Sequence, residues 1–166
     1  MGQLKPLDYK LLFELMKDSR RSDRTLAKVL NSSQPTVTRR RAKLEKNFLD
    51  GYTAIPKWEK LGYTILAITF VKSKQALGLR DRYKAAHKRG IEWLMKQSCI
   101  IMSGGCRGMG MDGFLISVHK DYSDFDKFMF DQKREMGDLV EDTQTAIVNL
   151  SGDTILKPLH LKYLAE

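Results

Sequence analysis

The sequence has little of what most enzymes and metal proteins need: three histidines, two cysteines and no nucleotide-binding fingerprint in 166 residues. Cys99 and Cys106 are separated by six residues without a second pair, which fits neither a zinc cluster nor a redox dithiol. Both are read as buried thiols. His87, His119 and His160 lie far apart, none beside a serine or cysteine motif, and are expected at the surface or partly buried. No G-x-G-x-x-G opens a helix and no Gly-Lys-Ser/Thr follows the glycines, which removes the usual phosphate cradles. No cofactor or metal is implied, no catalytic constellation emerges, and the expectation is a protein that is not an enzyme. Long apolar runs are missing too: none approaches the roughly 20 residues of a membrane span. The start, MGQLKPLDYK, lacks the apolar stretch of a secretory signal. A cytoplasmic protein without a membrane partner is expected.

Acid is scarce where base is plentiful. Net charge is +9, but residues 1–60 hold 14 Lys+Arg against 7 Asp+Glu, whereas residues 61–166 hold 15 against 13. Concentrated positive charge attracts a polyanion and releases its counterions, so the first third is the expected nucleic-acid surface. Charge alone leaves a merely solvated basic face as the alternative.

Hydrophobic spacing organises that first third. Residues 7–17 place Leu7, Leu11, Leu12, Leu15 and Met16 on one helical face, with Asp8 in the first turn where an acid is favourable. Ser22 is a candidate N-cap for a second helix over 23–30, with Leu26, Ala27, Val29 and Leu30 as its apolar stripe. Asn31 and Ser32 make a turn, Ser33 caps a third helix running to about Lys46, and Pro35 is tolerated in its first turn. Residues 48–55, ended by Pro56, read as a turn plus a short strand, a wing. Three short helices with a tight second turn make a helix-turn-helix, whose third helix enters the major groove. Val37 and Leu44, seven apart, face the core; Gln34, Thr38, Arg39, Ala42 and Lys43 lie mainly on other faces. Arg can fork onto guanine, Gln onto adenine, and Thr can offer a methyl or a hydroxyl. Arg39, Arg40 and Arg41 are about 100° apart in turn, so at least one must contact phosphate or pack sideways. The candidate DNA-binding residues are Ser33, Gln34, Thr36, Thr38, Arg39, Arg40, Arg41 and Lys43, with Arg39 as the expected base reader.

Leu7-Asp8, Leu26-Ala27, Ser33 to Val37, Arg39-Arg40, Leu44-Glu45, Gly51-Tyr52 and Leu61-Gly62-Tyr63 together resemble the N-terminal region of the Lrp/AsnC (feast/famine) regulators. The resemblance is clear over residues 7–71 and weaker beyond. Two departures stand out: Arg41 occupies a position where the family usually has an apolar residue, and Asn31-Ser32 replaces a Gly-Leu turn. A charged side chain at a half-buried position must snorkel or pair, which makes Arg41 a candidate phosphate contact.

The rest reads as an α/β unit from its own pattern. Residues 63–71 (YTILAITFV) form a strand by composition; 76–98 are largely helical, broken or bent near Gly90, with Ile91, Leu94 and Met95 on one face and Trp93 beside them. Strands at 99–102 and 114–118 flank a Gly-rich loop over 103–113. A helix over 124–136, with Phe125, Phe128, Met129 and Met136, and a strand over 143–150 complete a βαββαβ, ferredoxin-like order. The carboxylates at Asp121, Asp124 and Asp126 suit the start of that last helix. The tail from Ser151 is too apolar for a free linker; it or a second subunit should cover the open face of the sheet.

The expected fold is thus α+β: a winged helix-turn-helix over residues 1–60, joined through 58–62 to a ferredoxin-like, RAM-type domain over 61–166. The Lrp/AsnC resemblance implies that this second domain binds an effector and oligomerises. It implies a homodimer or a higher oligomer such as an octamer, and a small effector, commonly an amino acid, near the Gly-rich loop. Gly105, Gly110 and Asp112 are the candidates there, against the simpler reading that the glycines turn the chain and Asp112 caps a turn. The expected function is sequence-specific transcriptional regulation on double-stranded DNA. The alternative is an architectural protein that coats DNA with little sequence choice.

Overall fold

The computed structural model describes residues 3–74 and 80–165. The chain forms two compact units, Met1–Ile55 together with Lys157–Glu166, and Pro56–Leu156.

The first unit is helical: α1 (Pro6–Lys17), α2 (Asp23–Val29) and α3 (Gln34–Asn47). Leu11, Leu15, Leu26, Ala27, Val37 and Leu44 are buried together, with Leu4, Leu12, Leu30 and Leu49 against them. The expected caps are in place: Ser22 Oγ accepts from Thr25 N at 3.2 Å and Ser33 Oγ from Thr36 N at 3.4 Å. Asn31 takes φ 49°, the left-handed conformation that ends a helix, and the next two bonds close the motif. Asn31 N donates to Lys28 O at 3.3 Å and Ser32 N to Ala27 O at 2.9 Å. Asparagine reaches this conformation more readily than residues with bulkier side chains, so it performs a glycine's role here. Asn31→Val should therefore cost the unit about 1 kcal/mol or more, and Asn31→Gly should be neutral or stabilising, read as a shift in urea midpoint with unchanged m-value.

Two expectations about this unit are corrected. Residues 48–57 form no strand, so there is no wing ladder; the segment is fastened instead by Tyr52, whose hydroxyl donates to Glu45 Oε1 at 2.9 Å. The last ten residues, expected with the α/β domain, belong to the helical unit, where the turn Leu161–Leu164 lies against α1 and Ala165 is buried.

In the second unit a 3-10 turn (Trp58–Leu61) leads into β1 (Ile65–Ser73), α4 (Arg80–Lys96), β2 (Ile100–Gly108), β3 (Met111–His119), α5 (Tyr122–Met136) and β4 (Val140–Asn149). The βαββαβ order is as expected, and the strands lie β2-β3-β1-β4 with every pairing antiparallel. The part of the expected helix at 76–79 lies outside the described residues. From Arg80 on, α4 is unbroken through Gly90. Gly90 is needed for space rather than for a bend: a Cβ there would come within 3.0 Å of Leu139 Cδ1 and 3.2 Å of Met136 Cε. The packed face of α4 is accordingly the Gly90–Trp93 side, where Trp93 stacks on Phe128 at 5.8 Å, and Ile91 and Met95 are exposed.

The expected loop over 103–113 is mostly hairpin. β2 and β3 pair as far as Gly108 and Met111, joined by Met109 and Gly110 at φ 53° and 72°. Positive φ at both turn residues is what a two-residue hairpin requires of a right-twisted ladder. The register puts Ala67, Thr69, Leu115, Ser117 and His119 on the face covered by α5. The opposite face carries Leu66, Ile68, Phe70, Phe114, Ile116 and Met102, mostly half-buried, with Met102 exposed. No described helix of this unit covers that apolar face.

Candidate nucleic-acid interface

Five basic residues lie on α3, and the structure divides them sharply. Arg40 turns to the core, where its Nη1 lies 2.6 Å from Oδ1 of Asp8, a side chain with no solvent exposure. Asp8 also accepts from Lys5 N at 2.9 Å, completing the N-terminal capping box of α1, and Lys43 Nζ is 3.7 Å away. Burial alone would raise the Asp8 pKa, but the Lys5 N–H and the two cations outweigh it and hold the carboxyl below its ordinary value.

Arg41 turns to the connection between α1 and α2. Its Nη2 donates to Ser19 O, its Nη1 to Arg21 O and to Asp23 Oδ1, each at 3.1 Å, and its Nε to Glu45 Oε1 at 3.0 Å. The guanidinium also sits over the Tyr52 ring, 5.5 Å from its centre. Asp23 is shared: Thr38 Oγ1 donates to its Oδ2 at 2.6 Å, and that bond with Arg41 keeps the carboxyl ionised below its usual range. The reading of Arg41 as a phosphate contact is thus corrected. Its donors are spent on the protein, and its charge is offset by Asp23 and Glu45. Arg40 is corrected likewise, because its charge answers Asp8.

The other candidates separate by position. Ser33 and Thr36 are occupied with each other at the cap, where Ser33 Oγ donates to Thr36 Oγ1 at 2.8 Å. Thr38 is exposed, but its hydroxyl is committed to Asp23, leaving its methyl. Lys43 is half-buried with its ammonium near Asp8. Gln34 and Arg39 are exposed, and neither has an ion-pair or side-chain hydrogen-bond partner among the described residues. Lys46 shares that condition and lies seven residues after Arg39, on the same outward face as Pro35 and Ala42. Lys46 is not among the residues expected to meet DNA, and its i, i+7 spacing from Arg39 is the sequence signal that places it on this face.

The outward face of α3 is therefore Pro35, Arg39, Ala42 and Lys46, flanked by Thr38 and Lys43, with the exposed Gln34 at the helix start further round on the Thr38 side. It is a narrow strip with two unpaired cations rather than five. Such a face has the dimensions and donors for the major groove, with a forked guanidinium and an amide near the helix start.

The effector candidates of the second unit lie along one hairpin, with Gly105 next to the Asp112 backbone. Gly105 is within β2 opposite Gly113, and Gly110 is at the hairpin tip. Asp112 is engaged with the end of β1: its Oδ1 accepts from Ser73 N at 3.1 Å and from Ser73 Oγ at 3.0 Å. A cleft of about 500 Å³ between α5 and the start of β4, and one of about 300 Å³ near the end of β3, are lined by other residues.

Three comparisons bear on this site. Residues 6–45 match the AsnC-type helix-turn-helix domain. An uncharacterized HTH-type transcriptional regulator of Pyrococcus furiosus is 40% identical over 73 residues, 43% of this chain and 49% of that protein. The chain thus matches about half the length of such curated relatives. E. coli AsnC superposes with a TM-score of 0.72 at 20% identity, over 89% of this chain and 93% of that one. A Neisseria meningitidis transcriptional regulator in complex with L-Met gives 0.73 at 22%, over 88% and 90%. At these identities the structural likeness concerns the fold.

Proposed function

Because the chain is of the Lrp/AsnC type in its helix-turn-helix domain and in its fold, we propose that it is a sequence-specific DNA-binding transcription regulator acting as a dimer or larger oligomer. The observation that carries this is the exposed, unpaired Arg39 on a third helix where Arg40, Arg41 and Lys43 are held by acids and only Lys46 shares its freedom among the described residues. A DNA-coating protein would profit from many free cations, since its affinity rests on phosphates. Here the helix withholds three of five.

In a shift assay with genomic fragments, the regulator retards few fragments at moderate salt; retardation of all of them, with a steep salt dependence, would establish coating instead. Arg39→Ala should remove about 1–3 kcal/mol of discrimination at the base it reads. Lys46→Ala should weaken all sequences alike and lower the salt slope by about one. Equal loss on specific and random DNA for Arg39→Ala would count against base reading.

The apolar open face of the sheet supports dimerisation, with a second copy as its cover. Two third helices would then meet half-sites about one helical turn apart, or a multiple of it, on a roughly palindromic operator. Light scattering that shows a monodisperse monomer at micromolar concentration would remove the dimer. The complex of the Neisseria relative with L-Met supports an amino-acid effector, with Gly105, Gly110 and Asp112 completed by a neighbouring subunit.

A further inference from the structure

The second unit holds a polar cleft that the DNA-binding reading does not use. It lies where the ends of α4 and β3 and the start of β2 meet the first half of α5, and its volume is about 300 Å³. That is the lower end of the size range for small-ligand sites. At its floor His119, expected at the surface or partly buried, is 1% exposed and sits against Phe125 and Phe128 at 5.4 and 5.2 Å between ring centres. One ring nitrogen, Nε2, bonds Ser117 Oγ at 2.8 Å; the other, Nδ1, is 3.7 Å from Asp124 Oδ2.

The charges around the cleft are unevenly satisfied. Asp124 Oδ2 already accepts from Lys120 N at 3.1 Å and lies 3.7 Å from His119 Nδ1; Asp131 is paired with Arg134 at 3.1 Å. Lys120 and Lys127 line the same cleft, and neither ammonium has an acidic partner among the described residues. Tyr63 and Ser98 line it as well. Burial pushes the Cys99 thiol up, so it adds no competing anion. The groups left without partners are therefore donors, and two of them are cations.

We propose that this cleft binds a small oxyanion, a carboxylate or phosphate group of a metabolite, on Lys120 and Lys127 with His119 at its floor. The ligand's negative charge would lie near an imidazole that burial keeps neutral, and the nearby charges on the helix and strand are Asp124, Asp131, Lys120 and Lys127. An anion there favours the imidazolium, so the His119 titration is a built-in reporter.

The test is a histidine-ring NMR titration of the full chain with succinate and, separately, inorganic phosphate at constant ionic strength. The expected result is that at least one probe raises the His119 midpoint by about half a pH unit or more while His87 and His160 stay put. Lys120→Gln/Lys127→Gln, both exposed positions, should weaken that probe's binding at least about fivefold with the chain still folded, in keeping with the loss of exposed charge contacts. Response to succinate alone or phosphate alone identifies the group recognised. No selective His119 response to either, or an unchanged response in the double variant, overturns the site. Neither outcome depends on DNA binding, which the shift assay measures separately.

Discussion

Asp8→Asn will destabilise the helical unit by about 2–3 kcal/mol, although the two side chains are nearly the same shape. The carboxylate has no solvent exposure, and it answers Arg40 at 2.6 Å and Lys43 at 3.7 Å. Removing its charge leaves a guanidinium that is only 21% exposed without a counterion. Breaking a fully buried pair costs about 3–5 kcal/mol; the partial exposure of Arg40 and Lys43 lets water recover some of it. Asparagine can still accept from Lys5 N, so the cap survives; Asp8→Ala should lose about 1 kcal/mol more with it. Against a stability of roughly 0.05–0.15 kcal/mol per residue, either loss is a large fraction of what holds so small a unit together. Amide hydrogen exchange of α1, α2 and α3 in the full chain reads it directly, since the α/β unit serves as the internal reference.

The acid dependence follows from the same contacts. The folded pKa of Asp8 is lowered, so its stabilisation is fully present above the unfolded value near 3.8 and is lost as pH falls through the folded one. The gap between wild type and Asp8→Asn should be constant from neutral pH down to about pH 5 and close in stronger acid. A gap that closes near neutrality would mean that another group is responsible.

Arg41→Leu, which installs the apolar residue usual for the Lrp/AsnC resemblance, will destabilise by about 2 kcal/mol rather than stabilise. The substitution gains some apolar burial. It strips partners from Ser19 O and Arg21 O, and leaves Asp23 and Glu45 without their shared cation. Hydrogen bonds to charged groups are worth about 1.5–3 kcal/mol where burial is complete, and this site is partly open, so the net stays near the lower figure. Once folded, the variant should bind DNA with an unchanged salt slope. A slope reduced by about one, with stability intact, would restore Arg41 to the phosphate backbone.

Val37 and Leu44 at seven-residue spacing, Ser22 and Ser33 as caps, and the strand-length runs of the second unit were sufficient for three helices and a βαββαβ order, because these signals are local. The hairpin was underestimated because five glycines in 103–113 suggest a loop, while paired strands tolerate them when only Met109 and Gly110 turn. The break expected at Gly90 failed for a different reason. Its missing side chain makes room for Leu139 and Met136, which are distant in sequence.

The sequence by itself determined that this protein is basic in its first third, that α3 is capped and held by two apolar residues, and that Arg39 points away from them. Periodicity and capping depend on neighbours within a few residues, and these the chain states directly. Only the tertiary structure decided which of the remaining cations are free, because Asp8 lies 32 residues from Arg40 and Asp23 18 residues from Arg41, with Glu45 alone a near neighbour in the chain. It likewise decided that the last ten residues rejoin α1 and that His119 is buried. Charge pairing, burial and docking depend on distance in space, which composition and spacing along one strand of text do not contain.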